Sequence, residues 1–408
     1  MVAAILLLVL GLVAAAGTLN AARPSTRWWA ILPSWLAAWV TVELAAQLIL
    51  ASTVAAAVLV ALGALDHAVG IAGLVLLVTA DGAGAVGAMH AQLSRRALRD
   101  LLTELDPEPD PPRFPRSHVV LPFLMLRPRG VVRERGVAFA REPSGRPIRL
   151  DVYRPAAEAA GPRPAIVQVH GGAWVVGSRA EQGIPLLNHL AANGWVGVNI
   201  DYRMSPFATW PDHVVDVKRA IAWVREHAGE LGVDPGFVAI TGGSAGGHLT
   251  ALAALTAGDR SLQPGFEDAD TTVQAAVPFY GVYDLLDERR VHLPLLHSWI
   301  LEPLVFKARR AEHPERFRDA SPTHRVHRDA PPFLVIHGTR DSLVPPADAR
   351  GFVERLRSVS EAPVVYAELR GAQHAFDLIP SPRTAPIAEA IERFLHTIRV
   401  RSRERQLV

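Results

Sequence analysis

The chain places its charges very unevenly. Of its 408 residues, the first 94 carry only five formal charges: Arg23, Arg27, Glu43, Asp66 and Asp81. The remainder has an ordinary mixture. A helix needs about 20 apolar residues to cross a bilayer core. Three runs meet that length: Val2–Leu19, Leu44–Leu65 with a backward extension through Trp39 and Trp35, and Ala68–Met89, interrupted by Asp81. A buried helical subdomain of a soluble protein is the alternative, and it does not call for runs of this length. The sequence therefore predicts about three transmembrane spans over residues 1–94. Trp28, Trp29, Trp35 and Trp39 are expected to form an interfacial aromatic belt.

No Lys or Arg precedes the first run, so it reads as a retained helix rather than a cleaved leader. Arg23 and Arg27 fall between the first and second runs, and Arg95, Arg96 and Arg99 follow the third. Three spans put both basic segments on one side, which the positive-inside rule makes cytoplasmic. The expectation is a multi-pass cell-membrane protein with its catalytic domain in the cytoplasm. Glu43 and Asp81 are expected at an interface and paired inside the bundle, respectively, since those are the usual ways such charges are tolerated.

Composition excludes several classes. A net charge of +2 gives no support for a nucleic-acid partner. The absence of cysteine excludes disulfides, thiolate metal sites and a cysteine nucleophile.

Residues 95–130 read as a linker, with an Arg-rich amphipathic helix at Ala91–Leu105 and a proline- and acid-rich stretch at Asp106–Pro115. Beyond it the pattern changes. Val131–Phe139 and Ile148–Tyr153 flank a turn at Gly145 and predict a hairpin. Short apolar runs follow at Ala165–Val169, Val196–Ile200, Phe237–Thr241, Val273–Phe279, Phe333–Ile336 and Val364–Leu369. Helical patterns lie between them, at Gly183–Asn193, Asp212–Leu231, Ala245–Ala257, Ala347–Val359 and Pro386–Ile398. This alternation predicts an α/β domain over 131–400, with about eight mostly parallel strands flanked by helices.

Gly242-Gly243-Ser244-Ala245-Gly246 fits G-x-S-x-G between a β-branched strand and an alanine-rich helix, the context in which a turn exposes a nucleophilic serine. His170-Gly171-Gly172-Ala173-Trp174 follows an earlier strand. Its glycines let backbone N–H groups approach an oxyanion, so Gly171 and Gly172 are donor candidates, with Ala245 a third. The order serine, acid, histidine selects Asp341 and His374, each just after a strand. Asp377 falls after the histidine. His170, His248, His337 and His396 read as structural.

HGGAW, GGSAGG, HGTRDSLVP and GAQHAFD together resemble the esterase/lipase branch of the α/β-hydrolases, near the hormone-sensitive-lipase-like carboxylesterases. Membrane-anchored bacterial esterases are similar over roughly residues 120–400. The resemblance implies the α/β-hydrolase fold, a triad of Ser244, Asp341 and His374, and an oxyanion hole from Gly171, Gly172 and Ala245. The chain departs from that group at Ala173, where a third glycine is usual, and at Gly243, where an aspartate is common. Both features are similar to feruloyl-esterase-like and kynurenine-formamidase-like hydrolases.

The expected activity is carboxylic ester hydrolysis through an acyl-enzyme, with no metal or cofactor. An apolar insertion at 284–320 reads as a lid or pocket wall, which with the membrane anchor suggests a lipophilic acyl ester. An amidase, formamidase or acyltransferase would use the same triad. A non-catalytic membrane-tethered binding protein is the alternative of another class. The oligomeric state is not legible.

Overall fold

The computed structural model describes residues 1–103, 105, 112–126, 129–158 and 161–406. Its amino-terminal part holds four helices: α1 (Val2–Ala22), α2 (Ile31–Glu43), α3 (Ala45–Ala61) and α4 (Ala68–Thr103). α1 and α4 run side by side in the same direction. A Cβ on Gly11 would lie 2.3 Å from the Gly73 carbonyl oxygen, and one on Gly73 would lie 2.5 Å from the Leu8 nitrogen. Small residues of this kind let helix backbones close on each other in a bilayer. α3 returns the chain between them, and Ser52 Oγ donates to Asp81 Oδ2 at 2.7 Å. Asp81 therefore has its partner inside the bundle.

With 21 residues α1 is about 31 Å long. α1 and α4 are each long and apolar enough to cross a membrane, whereas α2 and α3 reach that standard only as a pair, bent by 83°. The backward extension of the second run is thus a separate helix that turns onto the catalytic domain. The cause lies in its polar groups. The indoles of Trp35 and Trp39 donate to backbone carbonyls of that domain, and Glu43 binds Ser381 and Arg383 there. Both tryptophans are half-buried, with their indole N–H groups turned to that domain. Trp28 and Trp29 do stand exposed.

α4 runs unbroken across the boundary expected at residue 94. Its far end buries Leu98 and Leu102 in one apolar cluster with Ile391 and Leu395, and Arg95 pairs with Glu389. The amino-terminal helices are therefore built into the domain that follows through this helix. Within the linker expected over 95–130, residues 106–111 lie outside the described residues, and a short helix, α5 (Arg116–Val120), follows.

The domain beyond is an α/β domain built on a single sheet. Its strands are β1 (Val131–Arg141), β2 (Pro147–Pro155), β3 (Arg163–Val169), β4 (Val196–Ile200), β5 (Val233–Gly243), β6 (Ala275–Phe279), β7 (Phe333–Gly338) and β8 (Val364–Leu369). They form one sheet in the order β1-β2-β4-β3-β5-β6-β7-β8. β1 and β2 form the expected antiparallel hairpin, β2 pairs antiparallel with β4, and every later pairing is parallel.

The helices are α6 (Ile184–Ala192), α7 (Asp212–Glu226), α8 (Ala228–Leu231), α9 (Ala245–Leu255), α10 (Pro314–Asp319), α11 (Pro346–Val359) and α12 (Thr384–Gln406). Alternate residues of β5 feed the two faces. Val238 and Ile240 pack with α7, α9 and α11, while Phe237 and Ala239 pack with α6, α12 and the end of α4. This is the period of two that a strand buried on both faces requires. The apolar 284–320 segment contains a π-helical stretch, Leu296–Phe306. Leu301, Val305 and Phe306 are buried in the main core, and Trp299 points outward.

The ion pair that docks α2 yields a test. Glu43 and Arg383 are both about 1% exposed and lie 3.0 Å apart. Arg383→Met should strand a buried carboxylate and destabilise the protein by about 3–5 kcal/mol, while adding Glu43→Leu should recover most of that loss. Thermal midpoints of the purified variants in detergent micelles check this.

Candidate active site

The end of β5 and the start of α9 meet at Ser244, whose φ of 57° and ψ of −121° form a tight turn that few non-glycine residues adopt. The backbone of the turn has almost no room around it. A Cβ on Gly242 would sit 2.6 Å from the Val169 carbonyl oxygen, and one on Gly246 would sit 2.1 Å from the same atom. Parallel pairing of β3 with β5 sets Val169 opposite Gly242. That is why the motif needs glycine on both sides of the serine. Gly243 has its own cause, since a Cβ there would lie 2.6 Å from the Tyr280 hydroxyl. Tyr280 thus fills the space that an aspartate before the serine would use.

The HGGAW loop follows β3 directly, so the same strand pairing brings it beside the serine. A Cβ on Gly171 would meet Ser244 Cβ at 3.1 Å. The Gly171 N–H already donates to Gln182 Oε1 at 2.7 Å. Gln182 is held in turn by Asn199 of β4, whose Nδ2 donates to the carbonyls of Arg179 and Gln182 at 2.7 and 2.8 Å. Gly172 adopts φ 119°, a conformation that side chains resist. Among the described residues, no hydrogen bond engages the N–H of Gly172 or of Ala245, the first residue of α9. Gln182 had no motif to mark it in the sequence.

His374 follows β8 and Asp341 follows β7. His374 Nδ1 and Asp341 Oδ2 are 2.6 Å apart, with both side chains nearly inaccessible. The other carboxylate oxygen accepts the backbone N–H of Leu343 at 2.9 Å and of Val344 at 2.8 Å. Burial raises the Asp341 pKa, but the imidazoles of His374 and His337 outweigh it and hold the carboxyl well below its ordinary range. Gln373 Oε1 accepts from Ser342 N and His374 N, both at 2.8 Å, and so ties the acid loop to the histidine loop. The Tyr280 ring lies 4.5 Å from the His374 ring. Nδ1 is committed to Asp341, which leaves Nε2 as the ring nitrogen without that partner. No hydrogen bond joins Nε2 to Ser244 Oγ among the described residues. Such contacts commonly tighten only when substrate binds.

The other candidates have structural partners. His248 accepts from Trp174 Nε1 at 3.2 Å, and its Nε2 faces the Ala320 carbonyl at 2.7 Å. His337 Nε2 lies 2.9 Å from the Val344 carbonyl and 3.3 Å from Asp341 Oδ2, so it backs the acid. His170 stacks on Tyr202 with ring centroids 4.4 Å apart. Asp377 accepts from the Tyr280 hydroxyl. His396 is exposed on α12. Trp35 and Trp39 of α2, which the sequence marked only as members of an aromatic belt, donate to the carbonyls of His374 and Ala375.

Comparison with known proteins places this geometry among esterases. The BD-FAE family model matches residues 150–356. The chain is 54% identical over 252 residues to the probable carboxylic ester hydrolase LipM of Mycobacterium tuberculosis, covering 62% of this chain and 58% of LipM. It is 48% identical over 274 residues to esterase LipC of the same organism, covering 67% of each. The chain thus spans about three fifths to two thirds of the length of these curated relatives. A butyrate-bound esterase structure from Thermogutta terrifontis superposes with a TM-score of 0.56 at 29% identity, covering 66% of this chain and 95% of that one.

The depressed Asp341 titration gives a signed prediction. Its ordinary value is 3.8 and its folded value lies below that. The carboxylate therefore stabilises fully above about pH 5, and that stability is lost as pH falls through the folded value. Asp341→Asn should lower stability by roughly 2 kcal/mol at neutral pH, and the gap to the parent should narrow below about pH 3. Denaturant midpoints of both proteins between about pH 1.5 and pH 7 read it out.

Proposed function

The chain belongs to the BD-FAE family, and from that premise we propose that it hydrolyses carboxylic esters with Ser244 as nucleophile. The observation that carries the reading is the buried His374–Asp341 pair set at the same sheet edge as the Ser244 turn. His374 Nε2 takes the Ser244 proton as Oγ attacks the ester carbonyl. Asp341 fixes the imidazole tautomer and stabilises the imidazolium. The carbonyl oxygen becomes an oxyanion in front of the free N–H groups of Gly172 and Ala245. Gly171 shapes this loop, its own N–H being held by Gln182. The imidazolium returns its proton to the departing alkoxide, and the alcohol leaves. Water, deprotonated by the same histidine, then releases the acid and restores Ser244.

The substrate class is a lipophilic acyl ester, and the surface around the site supports this. Phe207 is 99% exposed in a segment tied to the oxyanion loop, where Ser205 N donates to the Trp174 carbonyl at 2.8 Å. Trp28, between α1 and α2, lies 6.1 Å from Trp299 of the apolar insertion. The 284–320 segment then acts as the pocket wall between the site and the anchor.

The membrane reading is three passes. α1 and α4 run parallel, so α3 must bring the chain back between them, and α2 lies across the catalytic domain. The end of α1 meets that domain, where Arg340 Nη1 donates to the Ala21 carbonyl at 2.9 Å. Arg23, Arg27 and the arginines late in α4 share that end, which the positive-inside rule makes cytoplasmic.

Assay of p-nitrophenyl esters of graded chain length beside the matching anilides tests the function. The full chain should hydrolyse the esters, with kcat/KM rising with acyl length, and Ser244→Ala should lower kcat by about 10⁴-fold or more. Faster turnover of the anilides, or activity surviving in Ser244→Ala, would contradict the proposal.

A further inference from the structure

α2 spends its polar groups on one short stretch of the catalytic domain. Trp35 Nε1 donates to the His374 carbonyl at 3.1 Å, and Trp39 Nε1 donates to the Ala375 carbonyl at 2.7 Å. The two indoles sit four residues apart, hence on one face of the helix, and they bind two successive peptide groups. At the end of the same helix, Glu43 Oε2 accepts from Ser381 Oγ at 2.7 Å and Oε1 accepts from Arg383 Nε at 3.0 Å. Arg383 Nη1 donates back to the Arg370 carbonyl at 3.0 Å. The segment from Arg370 to Arg383, with His374 near its start, is thus gripped at both ends and in the middle.

This segment needs holding. Ala375 adopts φ 62°, a left-handed conformation that a residue with a Cβ keeps only when its surroundings impose it. The carbonyls that flank this residue are the two that the indoles bind. On its inner side the imidazole is set by Asp341 and by the Tyr280 ring, and the backbone N–H of His374 donates to Gln373 Oε1. On its outer side the backbone contacts come from α2. The remaining backbone contacts of this buried stretch lie to either side of the two peptides: Arg340 N donates to the Ala372 carbonyl at 3.0 Å and Thr384 Oγ1 to the Phe376 carbonyl at 3.2 Å, while Leu378 N adds a longer bond of 3.4 Å to the Ala375 carbonyl.

From this contact we infer that Trp35 and Trp39 are positioning residues for His374, and that the amino-terminal helices complete the active site rather than merely tether it. The inference rests on the reading of His374 as the general base. The indoles touch neither substrate nor the reacting atoms; they act by fixing where Nε2 stands relative to Ser244. Because α2 is joined to α3 by the sharp bend at Leu44 and to α1 by the Ala22–Ala30 connection, the arrangement of the helices in the bilayer is transmitted to the histidine.

The test replaces the donors and keeps the aromatic bulk. Trp35→Phe and Trp39→Phe, singly and together, are made in the full chain and purified in detergent micelles. Steady-state hydrolysis of a p-nitrophenyl ester, the rate of fluorophosphonate labelling and hydrogen exchange are then measured. A misplacement of about 1 Å at a catalytic group can cost on the order of 10²-fold. The double variant should therefore lose about tenfold to a hundredfold in kcat and in labelling rate, with KM within about threefold of the parent. Amides of residues 370–377 should exchange faster, while β5 and α9 stay protected. The single variants should lie between, and they carry the test if the double variant does not fold. Unchanged kcat, labelling rate and exchange in the variants would overturn the inference. A parent chain that neither hydrolyses the ester nor takes the label would instead overturn the esterase reading itself.

Discussion

The structure turns on the near contact of two backbones, at the ends of β3 and β5. With Val169 opposite Gly242, the carbonyl of one strand fills the space where side chains on Gly242 and Gly246 would stand. That contact forces the turn at Ser244 and sets the HGGAW loop beside it. Asp341 and His374 arrive at the same edge because β6, β7 and β8 continue the parallel sheet and each loop leaves from the same end. An open parallel sheet concentrates its chemistry at that edge. Here the packing of bare backbone at one strand pair decides where Ser244 sits.

Much of this was legible in the sequence, for reasons that differ by element. The buried strands announced themselves as short apolar runs, and their order followed from the alternation with helices. Ser244, Asp341 and His374 could be chosen because each follows a strand and their order along the chain is restrictive. Their neighbours were not legible. Gln182 reaches Gly171 and Gln373 joins two loops through side-chain amides, and no spacing rule marks an amide that bonds across the fold. Gly171 read as an oxyanion donor because glycine invites that role; its N–H turns out to face Gln182.

The amino-terminal region shows the limit of reading hydropathy alone. The apolar runs located α1, α3 and α4, because length and lack of charge are local properties. The break before α3 was hidden, since Trp35 and Trp39 are apolar by composition and their indole N–H groups matter only once acceptors are known. Glu43 looked like an interfacial acid and is a buried partner of Arg383, 340 positions away. A charge in an apolar segment carries information about a contact, but the contact itself lies elsewhere in the chain.

The central claim is that Ser244 is the nucleophile of a membrane-anchored esterase. The most direct measurement is to react the full chain with a fluorophosphonate, digest it and locate the adduct by mass spectrometry. The account predicts one stoichiometric adduct, on the peptide containing Ser244, and none in Ser244→Ala. An adduct on another residue, or an active protein that takes no label, would contradict it.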